Sequence, residues 1–226
     1  MEKDASGAGV ARGGLFSTAE IKILICYILN AIGEPVPVEM LANVLHYEGL
    51  ANAFEVSDAI VSLASKGQIV ATDESEQNYV ITDSGRNTAE TLKTSLSSVV
   101  KERAYLAVMK MFAKYKNAKD NHFEITHEDG VMYLSCSAID GGKPFITVKL
   151  LITDEEQGNI IRERFLENPS AIYSKIIRQA KWHIMHTADP IYVISHLCGF
   201  DNPQYFISKF KSTFGKTPQS YRKNKD

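Results

Sequence analysis

Cysteine is scarce: Cys26, Cys136 and Cys198 are the three among 226 residues, and they stand far apart. An odd count without paired spacing excludes a secreted disulfide framework and the usual zinc signatures. Each sits in an apolar stretch, which reads as a buried thiol of a cytoplasmic protein. Long hydrophobic runs are missing as well; none approaches the ~20 apolar residues of a membrane span. Met1 to Gly14 is polar and glycine-rich without a signal-like core, so it reads as a flexible tail. Its glycines, Gly7 to Gly14, have neither a P-loop lysine nor a preceding strand. An excess of one charge is also absent, with 25 Lys+Arg against 27 Asp+Glu and a net of −2. That excludes a uniformly basic nucleic-acid coat.

What is present is an ordinary globular composition, 44% apolar and 23% charged, with its charge unevenly placed. Residues 1–178 hold 18 basic and 24 acidic side chains, net −6, whereas residues 179–226 hold 7 and 3, net +4. An acidic body is joined to a basic tail.

Local patterns divide the chain further. Ser17 and Glu20 form a capping box ahead of Ile21, Leu24, Ile25, Ile28, Leu29 and Ile32 at helical spacing, and Gly33 ends the run. A short helix over Val38–His46 and a third over about Phe54–Ser65 follow, the latter expected to bury Val56, Ile60, Val61 and Leu63. Gln68–Ala71 and Tyr79–Ile81 read as strands around the polar tip Asp73–Asn78. Three helices and a hairpin are the order of a winged helix-turn-helix, assigned to residues 15–86. Residues 87–172 read as a long helix from about Ser84 to Tyr115, then a meander and a further helix. Leu92, Leu96, Val99, Leu106 and Met109 mark one face of the long helix, and a break is expected near Ser97-Ser98. The meander strands are His122–Thr126, Val131–Ile139 and Phe145–Leu151, with turns at Asp129-Gly130 and Gly141-Gly142. Thr153 and Glu156 form a second capping box.

Residues 173–226 differ in kind. A helix from about Ala171 to His186 precedes Asp189-Pro190, with proline at the first helical position of a short helix. Then come the turn Cys198-Gly199-Phe200 and a helix opened by Asn202-Pro203 that buries Phe206, Phe210 and Phe214. Helix, glycine turn, helix is helix-turn-helix grammar. The expected fold class is α+β: a winged helix, a small α/β middle and an all-α terminal module.

Gly199-Phe200, Tyr205-Phe206, Phe210-Lys211, Phe214-Gly215, Thr217-Pro218 and Tyr221-Arg222 stand at fixed spacing. Together they resemble the signature of AraC/XylS-type regulators. Arg178, Ala180, Lys181 and Thr187 resemble that family's linker helix. The family carries two helix-turn-helix units, and the linker and second unit are recognisable here. The rest, Leu15 to about Ile177, is similar to a bacterial winged-helix family, domain of unknown function 4364. That likeness rests on Thr18 to Tyr27, Ile81-Thr82-Asp83-Ser84-Gly85, the meander and Tyr173 to Ile177. It implies a transcription regulator without a defined ligand, and the chain reads as a fusion with its seam near residues 173–180.

In a helix-turn-helix the second helix enters the major groove. With Phe206 and Phe210 in the core, Asn202, Gln204, Tyr205, Ser208 and Lys209 are expected to face base edges, Gln toward adenine and Lys toward guanine or phosphate. Lys181, Lys211, Lys216, Arg222 and Lys223 are expected to meet phosphates. In the winged helix Asn52, Ser57, Ser62, Ser65 and Lys66 are candidate contacts, although Glu55 and Asp58 would repel the backbone. Winged helices also serve as protein-binding or dimer modules.

Enzymatic readings find no constellation. His183 and His186 lack a third ligand at metal spacing, and His122 and His127 lack a nucleophile. Asp154-Glu155-Glu156 suits a helix start by dipole alone, and Trp182 reads as a hydrophobic anchor. The expectation is a cytoplasmic regulator without cofactor or metal that binds double-stranded DNA as a homodimer. A non-catalytic interaction or dimerisation protein is the alternative. A third reading is a regulator whose middle sheet houses a small-molecule effector.

Overall fold

The computed structural model describes residues 10, 14–15, 17–73, 77–140 and 142–223. Most of the expected tail, residues 74–76 of the expected wing tip and Gly141 of the second turn lie outside them. Backbone contacts divide the chain into residues 1–113 and 114–226.

In the first unit, α1 (Thr18–Ile32) starts where Ser17 accepts the Ala19 N–H at 3.2 Å. Gly33, at φ 70°, closes it by donating to the Leu29 carbonyl. Ile21, Leu24, Ile25, Cys26, Ile28 and Leu29 are at most 1% exposed, so α1 is the central element of this core. Around it stand α2 (Val38–Tyr47) and α3 (Ala53–Ser65). A small antiparallel sheet has the order β1-β3-β2, built from β1 (Val36–Pro37), β2 (Ile69–Ala71) and β3 (Asn78–Ile81). The sequence reading misses β1, two residues long. Its proline stands on an edge strand, where a missing N–H costs the ladder little. Val61, expected in the core, is 67% exposed, because α3 turns Val56, Ala59, Ile60 and Leu63 inward.

α4 (Asp83–Leu92) begins at Thr82, which accepts the Gly85 N–H and whose hydroxyl lies 2.7 and 2.9 Å from the Gly67 and Gln68 carbonyl oxygens. A Cβ on Gly85 would fall 2.1 Å from the Gln68 oxygen. The Ile81–Gly85 stretch is therefore a close backbone approach of helix to strand. The expected long helix is interrupted: a 3-10 turn at Lys93–Ser95 separates α4 from α5 (Ser98–Lys119). The break shifts the buried seam, which runs through Leu96, Val100, Ala104, Val108 and Phe112 at steps of four. Leu92, Val99 and Leu106, expected on that face, are 42%, 68% and 59% exposed.

The second unit contains the meander β4 (Asn121–Glu128), β5 (Val131–Asp140) and β6 (Lys143–Ile152), antiparallel in that order. Alternation puts Leu134, Cys136, Ala138, Ile146 and Ile152 on a buried face. α6 (Glu155–Glu167) and α7 (Pro169–His186) contribute to its cover. Phe165 meets Phe123 and Tyr173 edge-on, with centroids 5.5 and 5.6 Å away. The expected Thr153/Glu156 box is displaced by one residue. Asp154 is the cap and accepts the Gln157 N–H at 2.7 Å, while the Gln157 side chain accepts the Thr153 N–H. Tyr173 donates to Asn121 at 2.6 Å, Asn121 to the Asn117 carbonyl and Asn117 to that of Leu166. This buried polar chain ties the end of α5 to β4, α6 and α7.

α8 (Ile191–Leu197), α9 (Pro203–Phe214) and α10 (Pro218–Lys223) complete the unit. Pro190 precedes α8 as its cap instead of occupying its first turn, because its carbonyl accepts the Val193 and Ile194 N–H groups. The turn between α8 and α9 is hydrogen-bonded to the sheet: Thr147 N–H donates to the Gly199 carbonyl at 2.8 Å, and Ile146 bridges Phe200. Gly199 stands at φ 80°, and a Cβ there would lie 2.4 Å from the Thr147 oxygen.

Two glycine substitutions test these approaches by urea denaturation. Gly85→Ala is expected to destabilise by about 1–3 kcal/mol through overpacking, reversing the gain of about 1 kcal/mol usual for Ala in a helix. Gly199→Ala is expected to cost more than Gly215→Ala. Gly215 has a similar φ of 75°, but its Cβ would meet nothing within 4 Å, so a smaller loss at Gly199 would contradict the docking.

Candidate nucleic-acid interface

The basic tail folds around a ladder of rings. Phe200, Phe206 and Phe210 are at most 1% exposed. Successive centroids from Phe200 through Phe206 and Phe210 to Phe214 lie 5.1, 5.8 and 4.6 Å apart. Tyr221 of α10 closes the ladder edge-on against Phe210 at 5.8 Å. Ile177, Ala180 and Ile184 of α7, Ile194 of α8, and Ala138 and Ile146 of the sheet complete this core. The fixed motif is thus mainly a packing code, with Pro218 buried at the start of α10 and the Thr217 hydroxyl capping it through Ser220 N–H at 3.2 Å.

Its last residue is a clamp. The Arg222 guanidinium donates to the Ile184 carbonyl at 3.2 Å and to the Asp189 carbonyl at 2.7 Å, holding the chain where it leaves α7. It is half-buried in this role, not extended into solvent as a phosphate ligand would be. Lys181 is similarly engaged, its Nζ 5.2 and 5.0 Å from the ring centroids of Phe214 and Tyr221. Those distances are of cation–π range. Lys211, Lys216 and Lys223 are exposed.

The expected base-edge residues fall into three groups. Asn202 caps α9, its Oδ1 accepting from Gln204 N–H at 2.8 Å and Tyr205 N–H at 3.3 Å, so that oxygen is committed to the helix. Gln204 and Ser208 lie four apart on one exposed flank, which Lys211 continues one turn further. Among the described residues these three side chains have no hydrogen-bond or ion-pair partner. Tyr205 and Lys209 occupy a different flank. Tyr205 is not turned outward as expected; its ring stacks on Phe145 of β6 at 4.4 Å and 30°. No local signal reveals this, because the partner is sixty residues earlier. Lys209 is exposed beside it.

In the first unit, Asn52 caps α3 by accepting the Phe54 N–H at 2.9 Å. Ser57 and Ser65 donate to backbone carbonyls of α3, Ser62 is half-buried, and Lys66 is exposed beyond its last turn. The exposed face of this helix carries Phe54 and Val61, 83% and 67% exposed, beside Ser57 and Asp58.

Trp182, expected as an anchor, is half-exposed and stacks on His186 with centroids 4.7 Å apart. His186 Nδ1 lies 2.8 Å from the Trp182 carbonyl oxygen. Among the described residues no group of three or more His, Cys, Asp or Glu could hold a metal ion, and no helix is long and apolar enough to cross a membrane. Burial pushes the Cys26, Cys136 and Cys198 thiols up to about 11, so they stay protonated at neutral pH.

No curated protein and no solved structure matches the chain significantly. Residues 159–224 match the family model of a helix-turn-helix domain, of the AraC type, which accounts for α8, α9 and the ring ladder. Residues 21–179 match a second model, which overlaps the first over α7's first half and most of α6. This longer match covers well over half the chain, which therefore belongs to the family described as Domain of unknown function (DUF4364).

Proposed function

We propose that the protein is a sequence-specific DNA-binding transcription regulator in which α9 enters the major groove. One observation carries this reading: Gln204, Ser208 and Lys211 form an unpartnered polar flank on the helix that follows the glycine turn. Gln bonds adenine through two atoms, Ser either base type, and Lys guanine or phosphate. Lys216 and Lys223 supply phosphate contacts that fix the register. Asn202 offers its amide hydrogens alone, since its oxygen caps the helix. Lys181, Tyr205, Lys209 and Arg222 are left out of the contact set. Such a protein works in the cytoplasm, where bacterial DNA lies.

The first unit, with helices α1 to α3 around a three-stranded sheet, is proposed as a winged helix. Exposed Phe54 and Val61 beside Asp58 suit contact with protein better than with phosphate. We assign α3 to pairing with a second copy, since one helix-turn-helix offers little specific surface.

Selection from a random duplex library followed by salt-titrated binding tests the reading. A preferred site with a steep salt slope is expected; equal weak binding to every sequence would sink it. Gln204→Ala is expected to relax preference at one base position by about 1–3 kcal/mol. Lys211→Ala should weaken all sites alike and lower the salt slope by about 1. Arg222→Ala should lower the Tm while leaving that slope unchanged, because its hydrogen bonds are internal.

A further inference from the structure

The second unit contains a half-open cleft of about 440 Å³ bounded by α7, β6, α9 and the end of α5. That volume lies within the ~300–1,000 Å³ typical of small-molecule sites. Phe145, Tyr173 and Tyr205 supply an aromatic wall, and Ser174 stands on its α7 side. Two opposite charges, Asp120 and Lys209, line the same cleft. They do not pair with each other, both are exposed to solvent, and neither side chain has a hydrogen-bond or ion-pair partner among the described residues.

We propose that this cleft binds a small aromatic zwitterion, of which an aromatic amino acid is the simplest, and that its occupancy is felt by α9. A ligand with one charge would satisfy one of the two side chains and leave the other facing it. A zwitterion matches both, its carboxylate toward Lys209 and its ammonium toward Asp120, with the ring against Phe145 and Tyr173. Tyr205 and Lys209 belong to α9, whose neighbouring flank carries Gln204 and Ser208. Filling the cleft loads one flank of the helix that the other flank presents to DNA. The coupling rests on the DNA-binding reading; the ligand site does not.

Isothermal titration of the full chain with L-tryptophan, tryptamine and indole-3-propionate tests the site, and DNA affinity with and without L-tryptophan tests the coupling. Saturable binding of L-tryptophan is expected, at least about tenfold tighter than either singly charged analogue. Asp120→Asn should weaken it by a similar factor, and Ser174→Phe should abolish it by filling the cleft. Both variants should keep the wild-type Tm and ligand-free DNA affinity. No saturable binding of L-tryptophan, L-tyrosine or L-phenylalanine at millimolar concentration overturns the site. So does analogue binding as tight as that of L-tryptophan, or binding that both substitutions leave unchanged. Ligand binding that leaves DNA affinity unaltered overturns the coupling. Absence of sequence-specific DNA binding, with ligand binding intact, refutes the functional reading and leaves the site standing.

Discussion

The second unit depends on one junction, the hydrogen bond from Thr147 N–H of β6 to the Gly199 carbonyl in the turn between α8 and α9. A strand edge is a row of unpaired donors and acceptors that must be covered or paired. Here part of that edge is paired by the turn itself, and the adjacent Ile146–Phe200 bridge carries the first ring of the ladder against the sheet. The approach is so close that any side chain at position 199 would strike the Thr147 oxygen. A glycine with positive φ, ordinary in a helix-turn-helix, thus also lets the module dock on a β-sheet.

That junction bears on how a single helix-turn-helix holds its shape here. The related regulators carry two such units on a linker helix. In this chain α7 takes the linker's place, packing Ile177, Ala180 and Ile184 into the ring ladder, while the meander contributes Ala138 and Ile146 to the same core. Tyr173 borders both this core and the one around Leu134, Cys136, Ile152 and Phe165. The overlap of the two family matches, residues 159–179, covers most of α6 and continues into α7. α7 is consequently a shared wall, not a tether, and the sheet contributes apolar area to the core of the helix-turn-helix.

Helical periodicity made much of this legible in the sequence. Phe206, Phe210 and Phe214 recur every four residues, the first two buried and Phe214 half-buried against them, and the glycines at 33, 199 and 215 mark turns at positive φ. Legibility fails where the deciding partner is remote. Tyr205 looks outward by spacing alone, and only Phe145 turns it inward. Arg222 looks like a phosphate ligand, yet two carbonyls from the end of α7 and the segment after it occupy its guanidinium. The seam of α5 is misplaced by one residue because a break resets helical phase, and periodicity carried across it reads Val99 for Val100. Caps slide for a similar reason: Thr153 and Asp154 are both competent, and the neighbouring Gln157 decides between them.

The charge step between body and tail acquires a structural meaning from α9. One side of this helix is fixed by Phe206 and Phe210, which allow it neither to lift nor to slide without opening the core. A small rotation of α9 about the ladder, were it to occur, would move its two flanks in opposite senses. Pressing Tyr205 and Lys209 toward Phe145 would withdraw one edge of the Gln204–Ser208 flank, and the reverse would advance it. Because a base edge is read through hydrogen bonds of narrow geometry, sub-ångström changes at this flank alter discrimination more than they alter attraction. On the proposed DNA-binding reading the lysines around it would act at longer range through the field they share, and their contribution would survive such a rotation. On the same reading, affinity and specificity would reside on different parts of the same basic tail, the first in Lys211, Lys216 and Lys223, the second in the Gln204–Ser208 flank whose neighbour Tyr205 is stacked on Phe145.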